Sequence, residues 1–285
     1  MNKKLVSVLI VSYNSWYYIV NTIKSVLNQT YLDFEVLILD NNSIDNTVKN
    51  INSFNDKRIK LFTWNDNLWP YMGLNFLLKK AKWEYIAIQD HDDLWHKDKL
   101  NEQINFLEKN KKYIWCWTET IMYYEKDKKY FSYHLWIESY YTIHPSLVFR
   151  SNRTYKYDES LDYFWDAYSL KYNLCKWEKC IYNINRPLTL HLIKSSYNNF
   201  TYSRFKFKFS YFKRIFELHD FTFYAFLVLF YEIIKKIIFP AFKIVNNYNL
   251  YLWFDRIPYK LTWNKVLDIN KTNNKYIKEI RDSYL

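Results

Sequence analysis

Short apolar runs alternate with amphipathic segments along the first ninety residues. The runs are rich in β-branched residues and predict four buried strands, at Val6–Val11, Glu35–Leu39, Ile59–Phe62 and Tyr85–Ile88. Between them, apolar residues recur at helical spacing, which predicts helices around residues 19–27, around residues 48–51 and over Gly73–Ala81. This alternation predicts an α/β fold with a doubly wound, mainly parallel sheet flanked by helices.

Polar residues directly follow three of the predicted strands, where ligands bind in doubly wound sheets. They are Ser12, Tyr13 and Asn14, then Asp40 and Asn41, then Asp90, Asp92 and Asp93. Three carboxylates this close together repel one another, and a hard divalent cation relieves the repulsion by taking oxygen ligands. The spacing of Asp90 and Asp92 therefore predicts a shared metal ion. The alternative is an exposed turn whose aspartates cap the following helix.

The chain has 285 residues and one glycine, Gly73. The two common glycine-rich phosphate-binding motifs, G-x-x-x-x-G-K-S/T and G-x-G-x-x-G, are therefore excluded. A metal ion that bridges carboxylates to phosphate is the usual substitute. The three cysteines, Cys116, Cys175 and Cys180, show no paired C-x-x-C spacing, and we expect them to be reduced thiols.

Positive charge is concentrated in the last third of the chain. Residues 1–185 carry 24 Lys+Arg against 22 Asp+Glu, a balance of +2, whereas residues 186–285 carry 17 against 7, a balance of +10. Aromatic and basic residues alternate near residues 204–214, and a largely apolar stretch follows from Phe221 to Phe239. This pattern predicts a basic, amphipathic helical region over residues 201–285 that lies on the membrane surface. A helical appendage packed on the body is the alternative, and we expect no nucleic-acid partner.

Several segments also match known motifs in order and spacing. They are, in chain order, Val6–Asn14, Ser25–Tyr31, Leu39–Thr47 and Asp90–Leu100. They are similar to the opening strand with S-Y-N, the S-v-l-x-Q-T segment, the D-D/N-x-S-x-D-x-T stretch and the metal motif of the inverting family 2 glycosyltransferases, which have the GT-A fold. The resemblance covers about residues 5–193. It implies a GT-A catalytic domain over residues 1–200, with a donor half of about 1–100 and an acceptor half of about 101–200, before the region 201–285.

The resemblance also implies roles for single residues. Donor-binding residues would be Ser12, Tyr13, Asn14, Asp40, Asn41, Asn75, Asp90 and His144. Asp92 and Asp90 would hold Mn²⁺ or Mg²⁺, and Asp166 would be the catalytic base, with Asp162 as the fallback. For His144 a packing role beside Pro145 is the alternative. Two residues depart from the family pattern: Trp69 stands where glycine is usual, and Asn41 stands where many members have aspartate.

The function that this resemblance implies is an enzymatic one. We expect a metal-dependent inverting glycosyltransferase that moves a sugar from a nucleotide-sugar, with a UDP-sugar favoured, to a hydroxyl of a saccharide or lipid-linked saccharide. Polysaccharide or lipopolysaccharide synthesis at the inner face of the cell membrane, from the cytoplasm, would be its setting. A dTDP-rhamnose-dependent rhamnosyltransferase is the alternative donor class, and a non-catalytic nucleotide- or saccharide-binding module is the alternative of another class. Self-association through the C-terminal region is also open.

Overall fold

The computed structural model describes residues 4–68, 70–82, 84–126, 128–134, 143–151, 155–157, 159, 180–194 and 265–268. The chain divides into two compact units, one of residues 1–195 with 267–285 and one of residues 196–266. Nearly all of the second unit lies outside the described residues. The predicted helical region 201–285 and the predicted boundary at residue 200 therefore stay predictions.

Four parallel strands form the half of the sheet that comes first in the chain. The strand β1 (Val6–Ser12) lies between β2 (Phe34–Asp40) and β4 (Tyr85–Asp90), and β2 also pairs with β3 (Ile59–Thr63). Nearly every residue of β1, β2 and β4 is buried, because helices cover a parallel sheet on its faces. The intervening helices are α1 (Ile19–Leu27), α2 (Thr47–Asn52) and α3 (Pro70–Lys80). The predicted doubly wound α/β arrangement is confirmed.

The rest of the sheet mixes parallel and antiparallel strands. Its elements are β5 (Leu94–Trp95), α4 (Lys99–Lys109), β6 (Trp115–Tyr124), β7 (Lys129–His134), a 3₁₀ turn (His144–Ser146), β8 (Val148–Arg150), β9 (Ile181–Ile193) and β10 (Lys265–Asp268). Across the described strands the order is β10-β7-β6-β8-β4-β1-β2-β3, and β9 pairs with both β5 and β6. The short strand β8 joins the two halves, since it pairs antiparallel with β4 and with β6.

The single glycine has a packing role. A Cβ atom on Gly73 would lie 3.0 Å from side-chain carbons of Val11 and Leu39, so α3 lies directly on the ends of β1 and β2. The helix begins at Pro70, three residues before the predicted start, because proline is suited to the first turn of a helix. The close approach fixes Asn75, two residues further along the helix, near the carboxyl ends of the strands.

Cys180 is disulfide-bonded, so the prediction of three reduced thiols is wrong for this residue. Sequence spacing did not reveal the bond because the fold, and not the spacing, decides which cysteines pair. Cys116 is a buried free thiol. Of the helices within the described ranges, none has the length and hydrophobicity needed to span a bilayer.

Candidate active site

Three strands bring polar residues to one edge of the sheet. In the parallel register Ser12 of β1 lies opposite Asp40 of β2, and Val11 of β1 lies opposite Asp90 of β4. The carboxyl ends of the three strands therefore meet, and Ser12, Asp40 and Asp90 share an edge as the sequence predicted. This edge is where open α/β sheets bind their ligands.

The residues after β1 form a tight loop at this edge. Ser12 is buried, and its hydroxyl lies 2.6 Å from the hydroxyl of Ser15. Asn14 has a φ of 45°, a left-handed conformation that asparagine tolerates, and its Oδ1 accepts the Ile44 N–H at 3.0 Å. Tyr13 between them is 38% exposed. Ser12 and Asn14 therefore bond within the protein, and Tyr13 presents its side chain to solvent.

Asp40 carries an unsatisfied polar atom. The residue is 2% exposed, and its Oδ2 accepts the Ser43 N–H at 2.9 Å. Its Oδ1 is buried and has no hydrogen-bond partner within the described part of the chain. Leaving a buried acceptor unpaired costs about 1–3 kcal/mol. An ionised carboxylate can only accept, so a ligand that satisfied Oδ1 would need an N–H or O–H donor.

Asn41 holds the loop that leads into α3. Its Nδ2 donates to Asn67 Oδ1 at 2.9 Å and to the Leu68 carbonyl at 2.6 Å, and its Oδ1 accepts the Leu68 N–H at 3.0 Å. These bonds use both the donor and the acceptor of the Asn41 amide. Asn41 therefore affects the sheet edge by holding the loop at Asn67 and Leu68 in place. Trp69, the adjacent departure from the family pattern, lies outside the described residues.

Asn75 and His144 hold the segment that follows β8. Asn75 Nδ2 donates to the Tyr157 carbonyl at 3.0 Å and to Glu159 Oε1 at 2.7 Å, and its Oδ1 accepts the Tyr157 N–H at 2.7 Å. His144 Nε2 lies 2.8 Å from the Tyr157 hydroxyl, and its Nδ1 lies 3.9 Å from Asp90 Oδ1. The structure thus places His144 beside Asp90, and Asn75 at the base of the segment.

The three clustered aspartates lie in three different environments. Side-chain exposure is 39% for Asp90, 16% for Asp92 and 0% for Asp93. Both oxygens of Asp93 accept bonds, Oδ1 from the Leu192 N–H at 2.9 Å and Oδ2 from His191 Nδ1 at 2.7 Å. Burial raises the pKa of Asp93 even though His191 opposes the shift. Burial alone would lower the pKa of His191, but the Asp93 charge outweighs it and raises this pKa to about 9.

Asp92 is paired with a lysine. Lys194 Nζ lies 2.6 Å from Asp92 Oδ2, and His91 Nε2 lies 3.9 Å from the same oxygen. Burial raises the pKa of Asp92, but His91 and Lys194 together more than offset this and hold the pKa below its usual value. Asp92 is therefore an anion that already has a cation beside it.

The donor set suits a hard divalent cation. Ligand atoms of Asp90, Asp93 and His191 lie within 4.8 Å of one another. Asp93 is already engaged through both oxygens and is fully buried, which leaves Asp90 and Asp92 as the more accessible carboxylates. Such cations prefer carboxylate oxygens, so the residues present fit the metal that the resemblance implies.

Sequence reasoning missed His191 and Lys194. Both lie at the end of β9, and the pairing of Leu94 with Leu190 sets this strand beside the aspartate cluster. The two pairing positions are 96 residues apart, so only the fold brings them together. A histidine and a lysine in an otherwise apolar strand end were the available signal. The predicted base Asp166 and its fallback Asp162 lie outside the described residues.

The profile of the family described as glycosyl transferase family 2 matches residues 7–170, more than half of the chain. The chain belongs to this family. The predicted family and its transferase class are thereby confirmed.

Curated relatives of this family 2 member match its first part. An uncharacterized glycosyltransferase of Haemophilus influenzae is 38% identical over 112 residues, which cover 39% of this chain and 45% of that protein. The UDP-Glc:alpha-D-GlcNAc-diphosphoundecaprenol beta-1,3-glucosyltransferase WfgD of Escherichia coli is 41% identical over 110 residues, which cover 39% of this chain and 44% of that protein. The matched region thus spans less than half of these relatives.

Solved structures share the fold of this family 2 chain. The TarS 1–349 fragment of S. aureus in complex with UDP-GlcNAc has a TM-score of 0.59 at 17% identity, over 75% of this chain and 65% of that one. The mannosyltransferase PcManGT of Pyrobaculum calidifontis in complex with GDP-Man and Mn²⁺ has a TM-score of 0.53 at 16% identity, over 72% of this chain and 61% of that one. The predicted GT-A fold is confirmed.

Proposed function

We propose that this protein is a metal-dependent inverting glycosyltransferase of bacterial polysaccharide or lipopolysaccharide synthesis. It moves a sugar from a nucleotide-sugar to a hydroxyl of a saccharide or lipid-linked saccharide. The observation that carries the proposal is the buried Oδ1 of Asp40, which has no hydrogen-bond partner among the residues that the structure describes. It lies at the same sheet edge as the carboxylates Asp90 and Asp92. The base of a nucleoside diphosphate can donate a hydrogen bond to Asp40 Oδ1. Its diphosphate can bind a metal ion held by Asp90 and Asp92.

A UDP-sugar is the favoured donor. Uracil carries an imide N–H, which is the kind of donor that Asp40 Oδ1 requires. Two Escherichia coli relatives are named for UDP-Glc, and the TarS fragment was solved with UDP and with UDP-GlcNAc. Thymine carries the same N–H, so dTDP-rhamnose stays the alternative donor. In this proposal Ser12, Asn14 and Asn41 shape the nucleotide pocket, and Tyr13 contacts the nucleotide from its exposed position.

Asp90 and Asp92 would hold Mn²⁺ or Mg²⁺. A bound divalent ion supplies Lewis-acid stabilisation for the charge that gathers on the leaving nucleoside diphosphate. His144, 3.9 Å from Asp90, orients that carboxylate and lines the donor site. The PcManGT structure contains Mn²⁺, which supports a divalent metal in this fold.

Asp166 is the proposed general base. It would accept the proton of the acceptor hydroxyl as that oxygen attacks the anomeric carbon from the face opposite the diphosphate, which inverts the configuration. Base assistance of this kind contributes roughly 10²–10⁴-fold to a rate. Asn75 and His144 contribute by anchoring Tyr157, because the chain continues from there towards Asp166.

The acceptor is proposed to be lipid-linked. WfgD and a second Escherichia coli relative, the glucosyltransferase WfaP, are named for a GlcNAc-diphosphoundecaprenol acceptor. An acceptor of that kind lies at a membrane surface. The +10 balance of residues 186–285 favours attachment of this chain to an anionic leaflet. We therefore propose a peripheral position on the cytoplasmic face of the membrane.

A transfer assay tests the proposal. Purified protein, Mn²⁺, a panel of UDP- and dTDP-sugars and a GlcNAc-diphosphate-lipid acceptor would be combined, and the glycolipid product would be separated and its anomeric configuration determined. We expect transfer from one UDP-sugar with inversion, lost in Asp166→Asn by at least a hundredfold and retained in Asp162→Asn. Nucleotide binding without transfer from any sugar, to this or to free saccharide acceptors, would instead support the non-catalytic binding module.

A further inference from the structure

Lys194 lies where a cation is needed at the carboxylate cluster. Its Nζ is 2.6 Å from Asp92 Oδ2, 3.5 Å from His91 Nε2 and 4.6 Å from the ring centroid of Tyr18. The lysine side chain is 20% exposed, so most of its length is packed against the protein. An ammonium group held by a carboxylate, a ring nitrogen and an aromatic face is confined, unlike a lysine on an open surface.

The partners of Lys194 are themselves fixed by the fold. His91 Nδ1 lies 3.3 Å from the carbonyl of Val11, and a carbonyl can only accept, so Nδ1 carries the hydrogen. That tautomer leaves a lone pair on Nε2, directed to Lys194. The Tyr18 hydroxyl donates to Glu125 Oε1 at 2.8 Å, which fixes the ring beneath the ammonium group. The enclosure is thus built for a positive charge.

Among the described aspartates of the cluster, Asp92 is the one that pairs with Lys194. Asp93 is buried against His191 and the Leu192 N–H, and Asp90 lies against His144. The pairing of Lys194 with Asp92 is therefore specific. It neutralises Asp92, one of the two carboxylates that a metal ion would also need.

We propose that Lys194 is a built-in counter-cation of Asp92, which a divalent ion must displace in order to bind. The proposal rests on the proposed function for the assignment of Asp92 as a metal ligand. Two cations compete for one carboxylate, so the affinity of the free protein for metal is lowered by the strength of the Lys194–Asp92 pair. Lys194 acts on the metal through Asp92 and is a positioning residue, not a catalytic one.

Direct metal binding without nucleotide tests this competition. Free Mn²⁺ would be followed by its electron paramagnetic resonance signal during titration of the wild-type protein, Lys194→Met and Lys194→Arg. We expect Lys194→Met to bind Mn²⁺ about tenfold more tightly, the equivalent of one lost charge-assisted hydrogen bond. Lys194→Arg keeps the charge and should bind Mn²⁺ like the wild type. The double variant Lys194→Met/Asp92→Asn should lose the gain, because the gain acts through Asp92.

A matched control is the pair of Lys60 with Glu35, whose atoms are 2.7 Å apart on β3 and β2. Lys60→Met removes the same charge at a distant edge and should leave Mn²⁺ affinity unchanged. Equal or weaker Mn²⁺ binding by Lys194→Met, an equal gain in Lys60→Met, or absence of Mn²⁺ binding in every variant would overturn the proposal. If Lys194→Met does not melt cooperatively, Lys194→Gln takes its place with the same expectation.

The two proposals fail in different ways. If the wild type binds no nucleoside diphosphate while Lys194→Met still binds Mn²⁺ more tightly, the proposed function is wrong and the competition stands. If UDP binds with Mn²⁺ but Lys194→Met leaves Mn²⁺ affinity unchanged, the competition is wrong and the proposed function stands.

Discussion

The carboxyl group of Asp40 is divided between two environments at the end of β2. Oδ2 accepts a backbone N–H from Ser43, whereas Oδ1 is buried and has no partner among the described residues. An unpaired buried acceptor weakens the folded state, and such local conflicts are expected at functional sites. We infer that Asp40 is kept for its ligand at a cost in stability.

Replacing Asp40 by Asn is expected to separate stability from binding. The neutral amide is less costly to bury than an unpaired carboxylate, so the free energy of unfolding should rise by about 1 kcal/mol. UDP affinity should fall at least tenfold, because an acceptor for the base is lost. Urea denaturation and calorimetry measure the two effects. Asp56→Asn, in a pair with Arg58 away from the edge, should leave UDP affinity unchanged, and a parallel loss there would contradict the assignment.

Lys99 makes a pH-dependent contribution to stability. Lys99 is fully buried. Its Nζ donates to Gln103 Oε1 at 2.7 Å and lies 4.1 Å from the ring centroid of Trp95. Burial lowers the pKa of Lys99 from 10.5 to about 7. Between these values the unfolded chain binds a proton that the folded protein lacks, so stability rises with pH.

Relative to Lys99→Met, the wild type should gain about 2 kcal/mol in the free energy of unfolding between pH 7 and pH 9. Urea denaturation at both pH values measures the gain. The control is Lys97→Met, at a position whose side chain is 52% exposed, and this variant should follow the wild-type profile. Identical profiles for Lys99→Met and the wild type would show that Lys99 keeps its proton when buried.

The sequence was informative about which residues reach the edge and less so about their bonds. Ser12, Asp40 and Asp90 were expected at one edge because parallel strands share an orientation, and the register places them there. The amides of Asn41 and Asn75 are engaged with loops whose positions depend on tertiary packing. No local pattern reports such a bond.

At the scale of elements, α3 links the donor edge to the segment after β8. The helix packs closely against β1 and β2 at Gly73, which sets its distance from the sheet. Asn75 then hydrogen-bonds to the backbone N–H and carbonyl of Tyr157. The helix therefore fixes Tyr157 relative to the sheet, and Tyr157 precedes Asp166 by nine residues in the sequence.

Asn75→Ala should weaken this link without removing the nucleotide pocket. The loss of its bonds to Tyr157 and Glu159 should lower the free energy of unfolding by about 1–3 kcal/mol. We expect the transfer rate to fall while the calorimetric UDP affinity stays within about twofold of the wild type. Asn105→Ala, on the exposed face of α4, should change neither property. Loss of UDP affinity at an unchanged rate would instead favour direct donor contact by Asn75.

Periodicity predicted the early elements because each strand and helix there carries its own pattern of apolar residues, which is visible within a short window of sequence. The pairing of β5 with β9 was not predicted, since β5 has two residues and its partner lies almost a whole domain later. That pairing brings His191 and Lys194 to the aspartates. His191 and Lys194 were therefore not predicted as site residues, because their position depends on the strand pairing and a single sequence does not show that pairing.

At the scale of the whole molecule, charge is divided between a nearly neutral first part and a basic last third. Residues 267–285 belong to the same compact unit as residues 1–195, so deletion of residues 201–285 would also remove part of that unit. Substitutions that keep the chain intact are the better probe of membrane attachment.

Replacing Lys206, Lys208, Lys213 and Arg214 by Gln is expected to weaken binding to vesicles of phosphatidylglycerol and phosphatidylcholine. Each basic residue near an anionic surface contributes about 1 kcal/mol, so the partition coefficient should fall at least tenfold. Cosedimentation measures it. The control removes the same charge at the exposed residues Lys24, Lys49, Lys57 and Lys109 and should bind as the wild type does. Equal losses in the two variants would mean that net charge alone governs attachment.

The sheet edge that carries Asp40, Asp90 and Asp92 is proposed to bind a nucleoside diphosphate together with a metal ion. Calorimetric titration of UDP, dTDP, GDP and CDP, each with and without Mn²⁺, measures this binding. We expect Mn²⁺-dependent binding of UDP, weaker binding of GDP and CDP, and loss of UDP binding in Asp92→Ala. Absence of binding by all four nucleotides, or UDP binding that neither Mn²⁺ nor Asp92→Ala alters, would contradict it.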